Sequence, residues 1–101
     1  MFESLHKEAF AECVNEVFRV TRPGSEEFEV RLTEVTEQFN TPRQEAFSVV
    51  FHGPADPFIQ QGTYQLSNAK LGDLELFLVP IARDQDGFQY EAVFNRLIPA
   101  N

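Results

Sequence analysis

Residues 74–81 read Leu-Glu-Leu-Phe-Leu-Val-Pro-Ile, with seven apolar residues of eight, one charge at Glu75 and a proline next to last. The run has no clean alternation of apolar and polar residues. It is followed by Arg83-Asp84-Gln85-Asp86-Gly87-Phe88, which reads as a hairpin loop because Asp-Gly readily supplies the positive φ of tight turns. The run is therefore the first strand of a hairpin. Whether the loop spans two residues or four, the pairing parity puts Phe77, Val79 and Ile81 beside Tyr90, Ala92 and Phe94 on one face, the expected core face. Leu76, Leu78 and Pro80 then share the other face with Gln89, Glu91 and Val93. A strand apolar on both sides needs cover on both sides, from an amphipathic helix, a second layer of sheet or another protein chain. Pro80 cannot donate to a ladder and should lie at a bulge or where the neighbouring strand ends early.

The rest of the chain supplies partners for that hairpin. Ser4 can cap a helix over about 4–13, with Leu5, Ala9, Phe10 and Cys13 or Val14 on one side. Strand-like composition follows over about 16–21, and Arg22-Pro23-Gly24-Ser25 reads as a turn. Phe28, Val30 and Leu32 alternate with Glu27, Glu29, Arg31 and Thr33 in a strand over about 27–38 with one wet face. Val35 breaks that parity, and a bulge between Thr33 and Thr36 would return it to the core. Asn40 to Gln44 is a polar connection into a strand over about 46–52. Gly53-Pro54-Ala55-Asp56-Pro57 should be irregular, followed by strands at about 63–67, 73–83 and 88–96. The expected fold is α+β and mainly β: a single domain over residues 1–101, with about six antiparallel strands in a small rolled sheet, barrel or sandwich and one short N-terminal helix packed on it.

Composition narrows the function. Sixteen acidic against eight basic residues leave a net charge of −8, which disfavours nucleic acid and anionic membranes as partners. Cys13 is the only cysteine, so there is no internal disulfide and no thiolate metal cluster. The N-terminus lacks the pattern of a signal peptide, and no apolar run approaches the roughly 18 residues of a membrane span. A soluble cytoplasmic protein is expected.

Motifs for chemistry are sparse. Asp84-Gln85-Asp86-Gly87 lacks the third ligand and the flanking helices of a calcium loop, and reads as a plain turn. His6, His52 and Cys13 are scattered. Cys13 reads as a small packed hydrophobe and His52 as a strand-end residue. The acidic row Glu26, Glu27, Glu29, Glu34 and Glu37 reads as the solvent face of a strand. Phosphate loops, G-x-S-x-G and H-E-x-x-H are absent. No catalytic, cofactor or metal residue is expected, and no enzyme activity.

Two functional readings remain. In the first, a non-enzymatic module meets a protein partner or a second copy through Leu76, Leu78 and Val93, or through Phe58 and Ile59. That last pair has a competing and favoured role as a plug in one end of the barrel. In the second, a small barrel binds a ligand or catalyses a reaction in a pocket near His52, Tyr64 and Tyr90, although eleven Phe favour a filled interior.

Phe51-His52-Gly53-Pro54, Gln61-Gly62-Thr63-Tyr64-Gln65-Leu66, Leu71-Gly72, the run Leu76 to Ile81 and Tyr90-Glu91-Ala92-Val93-Phe94-Asn95 together resemble a bacterial domain family of unknown function. The resemblance implies a small stand-alone protein, often encoded near tail-collar or tail-fibre-like genes, with an accessory, assembly or structural role. The chain departs from that pattern at Asn68, where the family has a histidine.

Overall fold

The computed structural model describes residues 7–21, 27–40, 44–55 and 59–97. After helix α1 (Lys7–Ala11) come β1 (Val17–Thr21), β2 (Phe28–Asn40), β3 (Gln44–Pro54), β4 (Gly62–Asn68), β5 (Gly72–Arg83) and β6 (Gly87–Leu97). All pairings are antiparallel, and the order β1-β2-β3-β6-β5-β4 closes through β4 onto β1 into a barrel. Six strands and one short helix match the expected class. Ser4, Leu5, His6, the 22–25 turn and Phe58 lie outside the described residues.

Alternation decides which side chains go inside. In β1, Phe18 and Val20 are buried between exposed Val17, Arg19 and Thr21; in β2, Phe28, Val30 and Leu32 are buried between exposed Glu27, Glu29 and Arg31. The parity break at Val35 is a bulge, as expected. The β2–β3 register shifts between Leu32 and Glu34, so Leu32 pairs with Phe51 and Val35 with Val49 on the inner side. Thr33, the inserted residue, donates its hydroxyl to the Val50 carbonyl at 3.1 Å. A side chain thus satisfies a carbonyl beside the disrupted ladder.

The hairpin of β5 and β6 corrects the expected faces. Val79 pairs with Glu91 and Pro80 with Tyr90, but Ala82 pairs with Gln89 and Arg83 with Phe88, so β5 carries one extra residue at Ile81. Pro80 stands at a bulge, as its missing N–H requires. That residue reverses the parity counted back from the loop. Leu76 (3 % exposed) and Leu78 (0 %) therefore line the core, whereas Phe77 (52 %) and Ile81 (47 %) face outward. Leu76 and Leu78 cannot form an outer interaction surface. Tyr90 and Ala92 are buried and Phe94 packs against the core, as expected.

The strand covered on both sides is instead β3. Phe47, Val49 and Phe51 belong to the core cluster, while Ala46, Ser48 and Val50 on the other side are also buried. β3 extends further than expected: Gly53 and Pro54, read as irregular, stay in the ladder opposite Phe88 and Gly87. Pro54 closes the strand, where a lost donor matters least.

The interior is filled by aromatic rings. Phe18 meets Phe51 edge to face with centroids 5.1 Å apart. Helix α1 contributes Phe10, fully buried, whose ring lies 5.2 Å from Phe94 and 6.0 Å from Phe47. Phe47 and Phe94 stack at 4.7 Å. A five-residue helix would not persist alone. Burial of Phe10 and the bond from Asn15 N–H to the Leu32 carbonyl at 2.7 Å hold it to the barrel. Asn15 takes the left-handed conformation (φ 76°) that turns the chain from the helix into β1.

Candidate functional site

Three clusters of functional groups stand out on the barrel, and the first surrounds Asn68. Its side chain is buried where β4 turns into β5. Its Oδ1 accepts from the Lys70 and Leu71 N–H groups at 2.8 and 3.0 Å, and its Nδ2 donates to the Val17 carbonyl at 3.1 Å and to Glu16 Oε1 at 3.3 Å. One amide thus joins the β4–β5 turn to the start of β1. Glu16 also pairs with Lys70 Nζ at 2.8 Å. The Lys70 hydrogen bond, and then the Asn68 one, hold the Glu16 carboxyl below its ordinary range. Cys13 is fully buried, with Sγ 3.8 Å from Asn68 Oδ1. Burial, and then the Glu16 charge, push its thiol pKa up, the opposite of what a reactive thiolate needs. Cys13 is a packed small residue, as the sequence suggests, and this cluster is a structural joint.

The second cluster lies at the other end of β5. Asp84 Oδ1 accepts from the N–H groups of Asp86 and Gly87, each at 2.9 Å, and so shapes the loop. Both its oxygens lie within reach of His52 Nε2, at 3.1 and 3.2 Å. An ionised carboxylate only accepts, so Nε2 carries the proton. The His52 bond, and then the backbone bonds, lower the Asp84 pKa. A lowered carboxyl pKa stabilises the fold above the ordinary carboxylate range, and the contribution is lost as pH falls through the lowered value. Asp84→Asn should therefore be less stable than the parent near neutral pH. The two should converge in acid when urea midpoints are compared across a pH series, and a pH-independent gap would remove the charged carboxylate as its cause.

The three residues of the expected pocket lie apart. His52 projects outward beside Arg31 and Gln89, its partners in register, and lines a groove with Asn15, Glu29, Arg31, Pro54 and Asp86. Tyr90 is fully buried, and its hydroxyl accepts from the Ile59 N–H at 3.2 Å. Tyr64 is half-buried and donates to the Gln60 carbonyl at 2.7 Å. The three do not share a cavity, because His52 lies on the outer parity of β3 and Tyr90 on the inner parity of β6. Ile59 is buried as well, so of the two roles considered it takes the plug, pinned by Tyr90. Among the described residues, no three His, Cys, Asp or Glu side chains gather as metal ligands, and no helix is long and apolar enough to cross a membrane.

The third cluster is apolar and exposed. Phe77, Val79 and Ile81 succeed one another on the outer side of β5; Phe77 and Ile81 are open to solvent and Val79 is half-buried. Val79 pairs with Glu91 on β6, and Val93, two residues further along the outer side of β6, is 63 % exposed. Thr63 on β4 pairs with Phe77 and Ser48 on β3 with Val93, so small residues border the two large ones. Of the expected interaction residues that are described, only Val93 lies on this surface. The parity counted from the loop assigns Phe77 and Ile81 to the core, and only the bulge after Pro80, with Ile81 as the extra residue, places them outside.

A closed six-stranded antiparallel barrel with a short helix packed on it, a filled interior and an apolar stripe outside defines the class of this protein. The chain belongs to the family described as Domain of unknown function (DUF6916), which it matches over residues 5–94. No curated protein and no solved structure matches it.

Proposed function

We propose that this chain is a non-enzymatic protein-interaction module with an accessory, assembly or structural role. The observation that carries the reading is the stripe of Phe77, Ile81 and Val93, three large apolar side chains about half or more exposed on neighbouring strands. Scattered apolar residues on a surface are ordinary, but several large ones exposed on the outer side of two paired strands are a feature of docking surfaces. The aromatic-filled interior leaves the outside of the barrel as the place for recognition. The net charge of −8 turns the choice of partner towards protein and away from nucleic acid or anionic membrane. The resemblance to proteins encoded beside tail-collar or tail-fibre-like genes favours an assembly setting of that kind. The lone cysteine suits the cytoplasm as working compartment.

Photo-crosslinking tests the reading. A benzophenone side chain replacing Phe77 or Val93 should trap a discrete protein adduct in lysate of the native host, while the same group replacing Gln65, outward on β4, should not. Equal yields from all three positions, or none from Phe77 and Val93, would refute a docking role for this face.

A further inference from the structure

Resting on that reading, we infer that the outer face of β5 and β6 receives an amphipathic helix of a partner whose apolar stripe is flanked by Lys and Arg, not a second copy of this chain. The occupant follows from the charges around the stripe. Along the outward side of β5, Asp73 and Glu75 precede Phe77, and on β6 Glu91 lies directly across from Val79. One strand further, Glu34 flanks Val50 in the same row as Glu91. The outward residues of β4 are Thr63, Gln65 and Ser67. Among the residues whose side chains are described, the outward positions of β4, β5 and β6 carry no Lys or Arg. The nearest cation along β5, Arg83, lies beyond the bulge, with its guanidinium over the Phe88 ring at 5.8 Å.

Two copies docked through this face would bring Glu75 and Glu91 of both into one interface, on chains that each carry −8. Like charges desolvated together oppose that arrangement. A Lys- or Arg-flanked segment solves both problems, because the long stems cover apolar surface while the charged ends reach the carboxylates. A helix suits the site better than an added strand. The exposed apolar residues and the carboxylates beside them lie on the outer face of the sheet rather than along a strand edge, and a helix laid on a sheet face is the ordinary way to cover one.

Three synthetic amphipathic peptides of about four helical turns test this, identical in their Leu stripe and carrying Lys, Gln or Glu at the flanking positions. Binding is followed by fluorescence anisotropy at low and high salt. The Lys peptide should bind best and weaken as salt rises. It should lose about tenfold or more in affinity, roughly 1.4 kcal/mol, on each of two double variants, Phe77→Ser/Val93→Thr and Glu75→Gln/Glu91→Gln. Circular dichroism checks that both variants keep the fold. Equal binding of the Lys and Gln peptides, or Lys-peptide binding untouched by either variant, overturns the inference. So does failure of the Lys peptide to bind, or a dimer in sedimentation that Phe77→Ser disperses. If the Lys peptide fails while crosslinking at position 77 still traps a protein, only the partner's chemistry is wrong. If both fail, the interaction reading falls with it.

Discussion

Gly87→Ala should cost about 3 kcal/mol and lower the melting temperature by roughly 12–24 °C. Gly87 opens β6 directly opposite Pro54, and a methyl group there would run into the Gly53 carbonyl oxygen. The obstacle is main chain, so no rotamer change relieves it, and β3 and β6 must part at the end of their long ladder. Gly53 cannot simply give way. It sits against the core, where a Cβ of its own would come within 3.0 Å of Val30 Cγ1 and 3.3 Å of Tyr90 Cε2. The control is Gly72→Ala. Gly72 has φ of +77° with nothing within 4 Å of a new Cβ, so only backbone strain applies and the loss should be about 1 kcal/mol. Urea unfolding of both variants distinguishes a steric from a purely conformational role. Equal losses would mean that Gly87 serves only to shape the turn.

Leu78→Ala should cost about 2–5 kcal/mol, and Phe77→Ala less than about 1 kcal/mol. The neighbours in sequence differ because Leu78 is 0 % exposed inside the barrel and Phe77 is 52 % exposed outside it. Removing the leucine leaves a cavity among fixed strands, whereas removing the larger phenylalanine uncovers little. Thermal unfolding of the two variants reads the β5 register directly. A greater loss for Phe77→Ala would mean that β5 keeps the parity counted from the loop, with no residue added at Ile81.

Much of the fold was legible in the chain. The alternation in Phe28 to Leu32 marks a half-buried strand, and the break at Val35 marks a bulge because an apolar residue on a wet face has to be returned to the core. Asp-Gly marked the β5–β6 turn, and Pro80 marked a disruption in β5. The consequence of that disruption was not legible. A bulge and an early end to the neighbouring strand both spare a proline its missing donor, but only the bulge adds a residue and exchanges the two faces. The candidate surface divides in the same way: Val93 is exposed, Leu76 and Leu78 are buried, and Phe77 and Ile81 are exposed in their place.

By itself, then, the sequence determined the class of fold, the acidic surface, the absence of recognised catalytic signatures and the positions of most strands, because period, turn chemistry and composition are local properties. Tertiary structure alone decided that the sheet closes, that Asn68 joins two distant segments, that His52 is set apart from Tyr90, and that the outward side of β5 carries the exposed stripe. Each of those depends on which strand lies beside which and in what register. A shift of one residue, too small to alter any local pattern, changes every face beyond it.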